Sequence, residues 1–183
     1  DMMITQVQTK ATTTETTNPQ MMNLEGMALI KSIGNTPLLP LNRIAENISP
    51  DVSVYAKAEW FNPGGSVKDR PGFNIIRKAL FEGKLLPGMQ LLDSTSGNMG
   101  IAYATFGAAL DIQVTLAMPS SVSPERSAIL RALGAELIFT DAEEGADGAI
   151  RAVQALANEH PERYFYANQY DNPANWQAHY KTT

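Results

Sequence analysis

Cysteine is absent from the 183 residues, which excludes disulfides and thiolate-held metals within the chain. Positive charge is sparse: 14 lysines and arginines stand against 19 aspartates and glutamates, a formal net charge of −5. The sequence therefore offers no basic footprint for nucleic acid. Long apolar runs are missing too. None approaches the roughly 20 residues that cross a bilayer, and the opening DMMITQVQTK lacks the apolar core of a secretory signal. The expectation is a cytoplasmic protein with neither a membrane nor a nucleic-acid partner. What remains is an ordinary globular mixture, 44% hydrophobic and 18% charged, long enough for one domain or one and a part.

Residues 1–26 stand apart. TKATTTETTNPQ is polar and threonine-rich, burying too little to offset its ordering entropy, and predicts a flexible arm. Beyond it, strand and helix patterns alternate. VSVYAKAE (52–59) has the two-residue period of a strand, and a helix follows from about Pro71 to Glu82, with Gly83 at its stop. MQLLD (89–93), IQVTLAM (112–118), ELIFT (136–140) and RYFYAN (163–168) suggest further strands. Helices are expected between them at 98–110, 123–134 and 149–159. Such alternation predicts an α/β fold, a parallel sheet flanked by helices.

In parallel sheets, ligands bind beyond the carboxyl ends of the strands. That rule selects three loops: 61–70, 94–100 and 167–175. In STSGNMG (94–100), Gly97 and Gly100 permit close backbone approach. Thr95, Ser96 and Asn98 add short polar groups, and the free N–H groups of the following helix suit a carboxylate or phosphate. The same text also fits a plain capped helix, with Ser96 or Asn98 as the cap. FNPGGSVKDR (61–70) is not a P-loop, because Asp69 follows the lysine where Ser or Thr is required. Ser66 and Asp69 have the spacing of a capping box, which places Lys68 at a helix start. A cation is disfavoured there by the helix dipole, so Lys68 is either a solvated surface lysine or a reactive amine. ANQYDNPANW (167–176) offers Gln169, Asn172 and Asn175, whose amides suit a polar ligand or simply stabilise turns.

Taken together, IGNTPL (33–38), NPGGSVKDR (62–70), TSGNMG (95–100) and NQYDNPANW (168–176) resemble the pyridoxal-phosphate enzymes of the β family, fold type II. The likeness is to cysteine synthases, also called O-acetylserine sulfhydrylases, and to the cystathionine β-synthase core. It runs from about residue 28 to the end. The resemblance implies pyridoxal 5′-phosphate as cofactor, held as a Schiff base on Lys68, with Gly64 and Gly65 leaving room for its ring. Asn98 would hydrogen-bond the ring oxygen, while Thr95, Ser96, Gly97, Met99 and Gln169 would surround the substrate carboxylate. The implied reaction is a β-replacement forming L-cysteine from O-acetylserine, or a similar activated serine, and sulfide. Lys68 would be the catalytic base, the protein a homodimer, and no metal would be needed.

The resemblance also implies a division of the chain. Residues 27–69 would contribute to a larger domain, 70–167 would form a small α/β subdomain, and 168–183 would return to the larger one. The family's glycine-rich phosphate loop is expected beyond Thr183. Met99 stands where cysteine synthases usually carry threonine, removing one hydroxyl from the carboxylate loop; its side chain is expected to turn into the helix packing. That departure keeps cystathionine synthesis, diaminopropionate synthesis and threonine or serine elimination open as alternatives. A non-catalytic binding module is a further one, against which the retained Lys68, Asn98 and Gln169 argue.

Overall fold

The computed structural model describes residues 27–183, and the arm expected over 1–26 lies outside them. A single-turn helix α1 (Ala28–Lys31) leads to strand β1 (Leu38–Pro40), which pairs antiparallel with β2 (Tyr55–Lys57), Leu39 facing Ala56. The strand expected over 52–59 is thus only three residues long. Its partner is equally short, and Val52 is exposed. A turn of 3-10 helix (Glu59–Phe61) takes the place of the expected strand end.

Helix α2 (Asp69–Phe81) begins two residues before the predicted start. Pro71 is tolerated because the first N–H groups of a helix have no intrahelical partner to lose. The helix stops as expected, with Gly83 at a φ of +65° just past the cap residue Glu82. Its buried side carries Ile75, Ile76, Ala79 and Leu80.

Four parallel strands follow: β3 (Gln90–Ser94), β4 (Val114–Pro119), β5 (Glu136–Thr140) and β6 (Tyr164–Tyr166). They lie in the order β5-β4-β3-β6, with Leu92 opposite both Thr115 and Tyr166. The connections are α3 (Asn98–Leu110), α4 (Pro124–Ala132) and α5 (Gly145–Glu159). Helix α5 starts four residues earlier than expected. Helix α6 (Pro173–Thr182) closes the described chain and was not anticipated, because its text reads as turn-forming asparagines.

Side chains alternate across the sheet, so neighbouring residues serve opposite layers. Leu91, Leu116 and Met118 meet Ile75, Tyr103, Phe106 and Leu130 from α2, α3 and α4. Leu92 and Ala117 meet Ala149 and Val153 from α5 on the other face. The molecule is an α/β fold with a helix-covered parallel sheet. None of the described helices is long and apolar enough to cross a membrane.

Helices α2 and α3 touch through small residues. A Cβ added to Gly72 would lie 2.8 Å from the Ala102 Cβ and 3.6 Å from the Met99 sulfur. Gly72→Ala should therefore destabilise the protein by about 1–3 kcal/mol through overpacking, read as a lowered Tm in thermal melts.

Candidate active site

The parallel arrangement brings the ends of β3 and β6 to one edge of the sheet. From β3 the chain passes through Thr95–Gly97 into α3, whose cap residue is Gly97 in an extended conformation. No side chain caps this helix, so neither Ser96 nor Asn98 plays the structural part considered above. Thr95 is buried, and its Oγ1 accepts the Gly97 N–H at 3.2 Å. Ser96 and Asn98 are exposed. An uncapped, partly exposed helix start with these groups around it favours a bound anion.

Met99 behaves differently. It is only 2% exposed and belongs to the hydrophobic core, between α3 and Gly72 of α2. Its side chain is therefore unavailable to a ligand, and only its backbone N–H faces the helix start.

Gln169 arrives from the β6–α6 connection. Its Nε2 donates to the Ser94 carbonyl at 2.8 Å, and its backbone N–H to Asp93 Oδ2 at 3.2 Å. The two segments are 75 residues apart in sequence and adjacent in space. The asparagines beside it serve the turn. Asn172 caps α6 by accepting the Ala174 N–H at 3.0 Å, and Asn175 donates to the Gln169 carbonyl at 2.8 Å.

Lys68 is the residue that caps α2, half-buried, with its N–H donated to Ser66 Oγ at 3.1 Å. One turn later lies Gly72, whose N–H bonds the Lys68 carbonyl and whose Cα packs on the first turns of α3. The starts of α2 and α3 therefore adjoin. The glycine pair before Lys68 now has a physical reason. Gly65 has a φ of +82° and faces open space, while a Cβ on Gly64 would come within 2.5 Å of Asp69 Oδ1. Gly64 instead donates its N–H to the Asp69 carboxylate, closing the turn that carries Lys68. Asp69 is fully buried, and burial pushes its carboxyl up to about 6.

Behind the lysine sits an ion pair that sequence reasoning missed. Arg70 Nε and Nη2 each donate to Glu59 at 2.7 Å, a two-pronged contact, and Arg70 Nη1 reaches the Thr182 carbonyl. Glu59 also accepts from Thr36 at 2.6 Å and Asn62 at 2.8 Å, and Asn62 Oδ1 accepts the Gly34 N–H. The hydrogen bond from Arg70 chiefly holds the Glu59 carboxyl down at about 2. Through this cluster the IGNTPL loop is tied to the helix carrying Lys68. On α6, burial first, then the positive charges of Lys68 and Arg70, lowers the pKa of His179. No pattern in the sequence points to Glu59 or His179; Arg70 at least stands in the same motif as Lys68.

A profile of the family described as pyridoxal-phosphate dependent enzyme matches residues 29–183. The chain belongs to that family. It is 51% identical over 156 residues to the cysteine synthase of Aquifex aeolicus, covering 85% of this chain and 48% of that protein. It is 44% identical over 152 residues to cysteine synthase A of Escherichia coli K12, covering 83% of this chain and 46% of that one. The crystal structure of a cysteine synthase from Entamoeba histolytica superposes with a TM-score of 0.78 at 40% identity, covering 96% of this chain and 50% of that one. The chain thus spans about half the length of the relatives it matches.

The residues present fit the family's cofactor, pyridoxal phosphate. Lys68 stands at the start of α2, in the turn whose Gly65 faces open space, with the exposed Asn98 at the adjoining start of α3. Among the described residues, no group of three histidines, aspartates or glutamates could hold a metal ion.

Proposed function

We propose that the complete protein makes L-cysteine from O-acetylserine, or a similar activated serine, and sulfide by pyridoxal-phosphate-dependent β-replacement. The observation that carries this reading is the pairing of Lys68 with the uncapped helix start at Thr95–Asn98, in a chain 51% identical to a cysteine synthase. When bound, the cofactor supplies an electron sink beside the substrate's Cα. Lys68 anchors the cofactor, and Asn98 orients its ring. The freed Lys68 amine takes the Cα proton and later returns it. Thr95, Ser96, Gly97, the N–H groups at the start of α3 and Gln169 hold the substrate carboxylate. Acetate leaves from Cβ and hydrosulfide adds there, so the atoms balance as O-acetylserine and hydrosulfide giving cysteine and acetate.

The test is the absorbance spectrum of the complete gene product before and after O-acetylserine, followed by sulfide and assay of cysteine. A spectral change with O-acetylserine and cysteine on sulfide addition is the expected result. Cystathionine formed from homocysteine, with no cysteine from sulfide, would replace this reading with another β-replacement. Loss of a charge-assisted hydrogen bond costs about 1.5–3 kcal/mol, so Ser96→Ala should weaken O-acetylserine binding by about tenfold or more. Unchanged affinity in that spectral titration would place the carboxylate elsewhere.

The reading includes a homodimer acting in the cytoplasm. Exposed Trp60, Phe61, Trp176 and Tyr180 supply apolar area for association, and sedimentation of the complete gene product tests it. The division into a larger domain fed by 27–69 and 168–183 and a small subdomain over 70–167 belongs to the same proposal. Limited proteolysis of the complete protein tests that boundary.

A further inference from the structure

Asp93 takes no part in the reaction described above, yet its carboxylate is buried beside the site with both oxygens hydrogen-bonded. It lies one residue before the end of β3 and is fully buried. Three donors from three elements converge on it. Oδ1 accepts the Ser94 N–H at 2.9 Å, while Oδ2 accepts the Tyr103 hydroxyl from α3 at 3.0 Å and the Gln169 N–H at 3.2 Å. Ser94 begins the Thr95–Gly97 turn, α3 offers its free N–H groups to a ligand, and Gln169 flanks both. Each element that Asp93 ties down therefore carries one part of the proposed carboxylate pocket.

We propose that Asp93 is a positioning residue, whose buried carboxylate sets the spacing between Gln169 and the Thr95–Gly97 turn and so shapes the pocket for the substrate's carboxylate. The proposal rests on the reading of that pocket given above. A buried carboxylate with no cation among the groups bonded to it is costly, and its hydrogen bonds are what make the site tenable. An amide would not serve. Asparagine can accept on one side only, so either Ser94 or Gln169 would lose its acceptor. Without Asp93, Gln169 is tied to β3 by its side-chain bond to the Ser94 carbonyl alone.

The arrangement should also respond to pH. Burial pushes the Asp93 carboxyl up to about 6, with the bonds from Ser94, Tyr103 and Gln169 opposing the rise. The ionisable groups facing it are Tyr103 from α3 and Tyr166 from β6, both raised above the ordinary tyrosine value and neutral near pH 6. Protonation turns one accepting side of Asp93 into a donor, so the latch should loosen as pH falls through about 6.

The test uses Asp93→Asn in the complete gene product loaded with cofactor. Hydrogen exchange followed by mass spectrometry should speed up over 94–97 and around Gln169, while β4 stays protected. O-acetylserine affinity should fall about tenfold, the size expected for losing one bond to a charged group. The decline in affinity expected of the unsubstituted protein below pH about 6 should flatten in the variant. Tyr103→Phe keeps the ring in the core and removes one donor, and it carries the test if Asp93→Asn does not fold. It should shift the midpoint of the pH profile upward, an effect that lost packing alone would not produce.

Unchanged exchange, unchanged affinity, or an unmoved pH midpoint in Tyr103→Phe would each overturn the proposal. L-cysteine and L-serine serve as second probes. If they bind and O-acetylserine does not, the proposed reaction fails, while Asp93 is still judged by their affinities. If no amino acid binds the unsubstituted protein, both ideas fall.

Discussion

Lys68→Ala in the complete gene product should abolish covalent attachment of the cofactor and lower turnover by about 10²–10⁴-fold or more, the range for removing a positioned general base. Lys68 caps α2, and Gly72 one turn later packs on the start of α3, so its backbone is held by packing as well as by motif. Borohydride reduction of the unsubstituted protein, followed by peptide mapping, should find the pyridoxyl group on Lys68. Lys68→Arg should be nearly as inactive, since a guanidinium keeps its charge and cannot give up the proton a nucleophile must lose. Label on Lys57 or Lys78, or turnover surviving in Lys68→Ala, would reassign the site. Cofactor retained without covalent linkage in Lys68→Ala would show that Asn98 and the remaining contacts bind it independently.

The sheet was legible because its strands are short apolar runs bounded by turn residues. MQLLD, IQVTLAM and ELIFT fall within two residues of β3, β4 and β5. Of the first strand pair only β2 was, inside the expected 52–59; β1 was not. Leu38, Leu39 and Pro40 are all exposed, so no burial alternation marks them. Helix α6 was hidden by Asn172, Pro173 and Asn175, which suggest a turn and in fact start a helix, Asn172 as its cap and Pro173 in its first turn. At the site, the turn glycines, Lys68 and the helix start could be found by local rules. The supporting groups could not. Asp93 reads as a polar strand end, and its bond to Gln169 spans 76 residues; Glu59 meets Arg70 from a turn of 3-10 helix that begins where the expected strand ends. Long-range pairing of single polar residues leaves no period for a sequence to display.

Glu59→Ala should be the most destabilising single change in this region, by about 3–5 kcal/mol, because it leaves the Arg70 guanidinium buried without its partner. The Arg70 side chain is 2% exposed, so water cannot replace the lost carboxylate. Thr36 would lose its acceptor and Asn62 one of its two, keeping only the Glu59 carbonyl, loosening the IGNTPL loop from the helix that carries Lys68. Replacing both partners with apolar residues, as in Glu59→Met with Arg70→Met, should cost far less than the single change, since no charge is stranded. Denaturant titration of the complete gene product with a double-mutant cycle separates the two. The pair also fixes a sign in acid. A carboxyl held at about 2 in the folded protein, against an ordinary 4.5, contributes stability that is fully present above about 4.5 and is lost as pH falls through about 2. Asp69 and Asp93, both raised to about 6, act oppositely, so their part of the stability declines as pH rises from about 4 through 6. In Glu59→Gln the acid loss below about 4.5 should shrink while the decline between 4 and 6 stays. A midpoint denaturant concentration that keeps its full acid sensitivity in Glu59→Gln would assign that sensitivity to other carboxylates and detach it from the Arg70 pair.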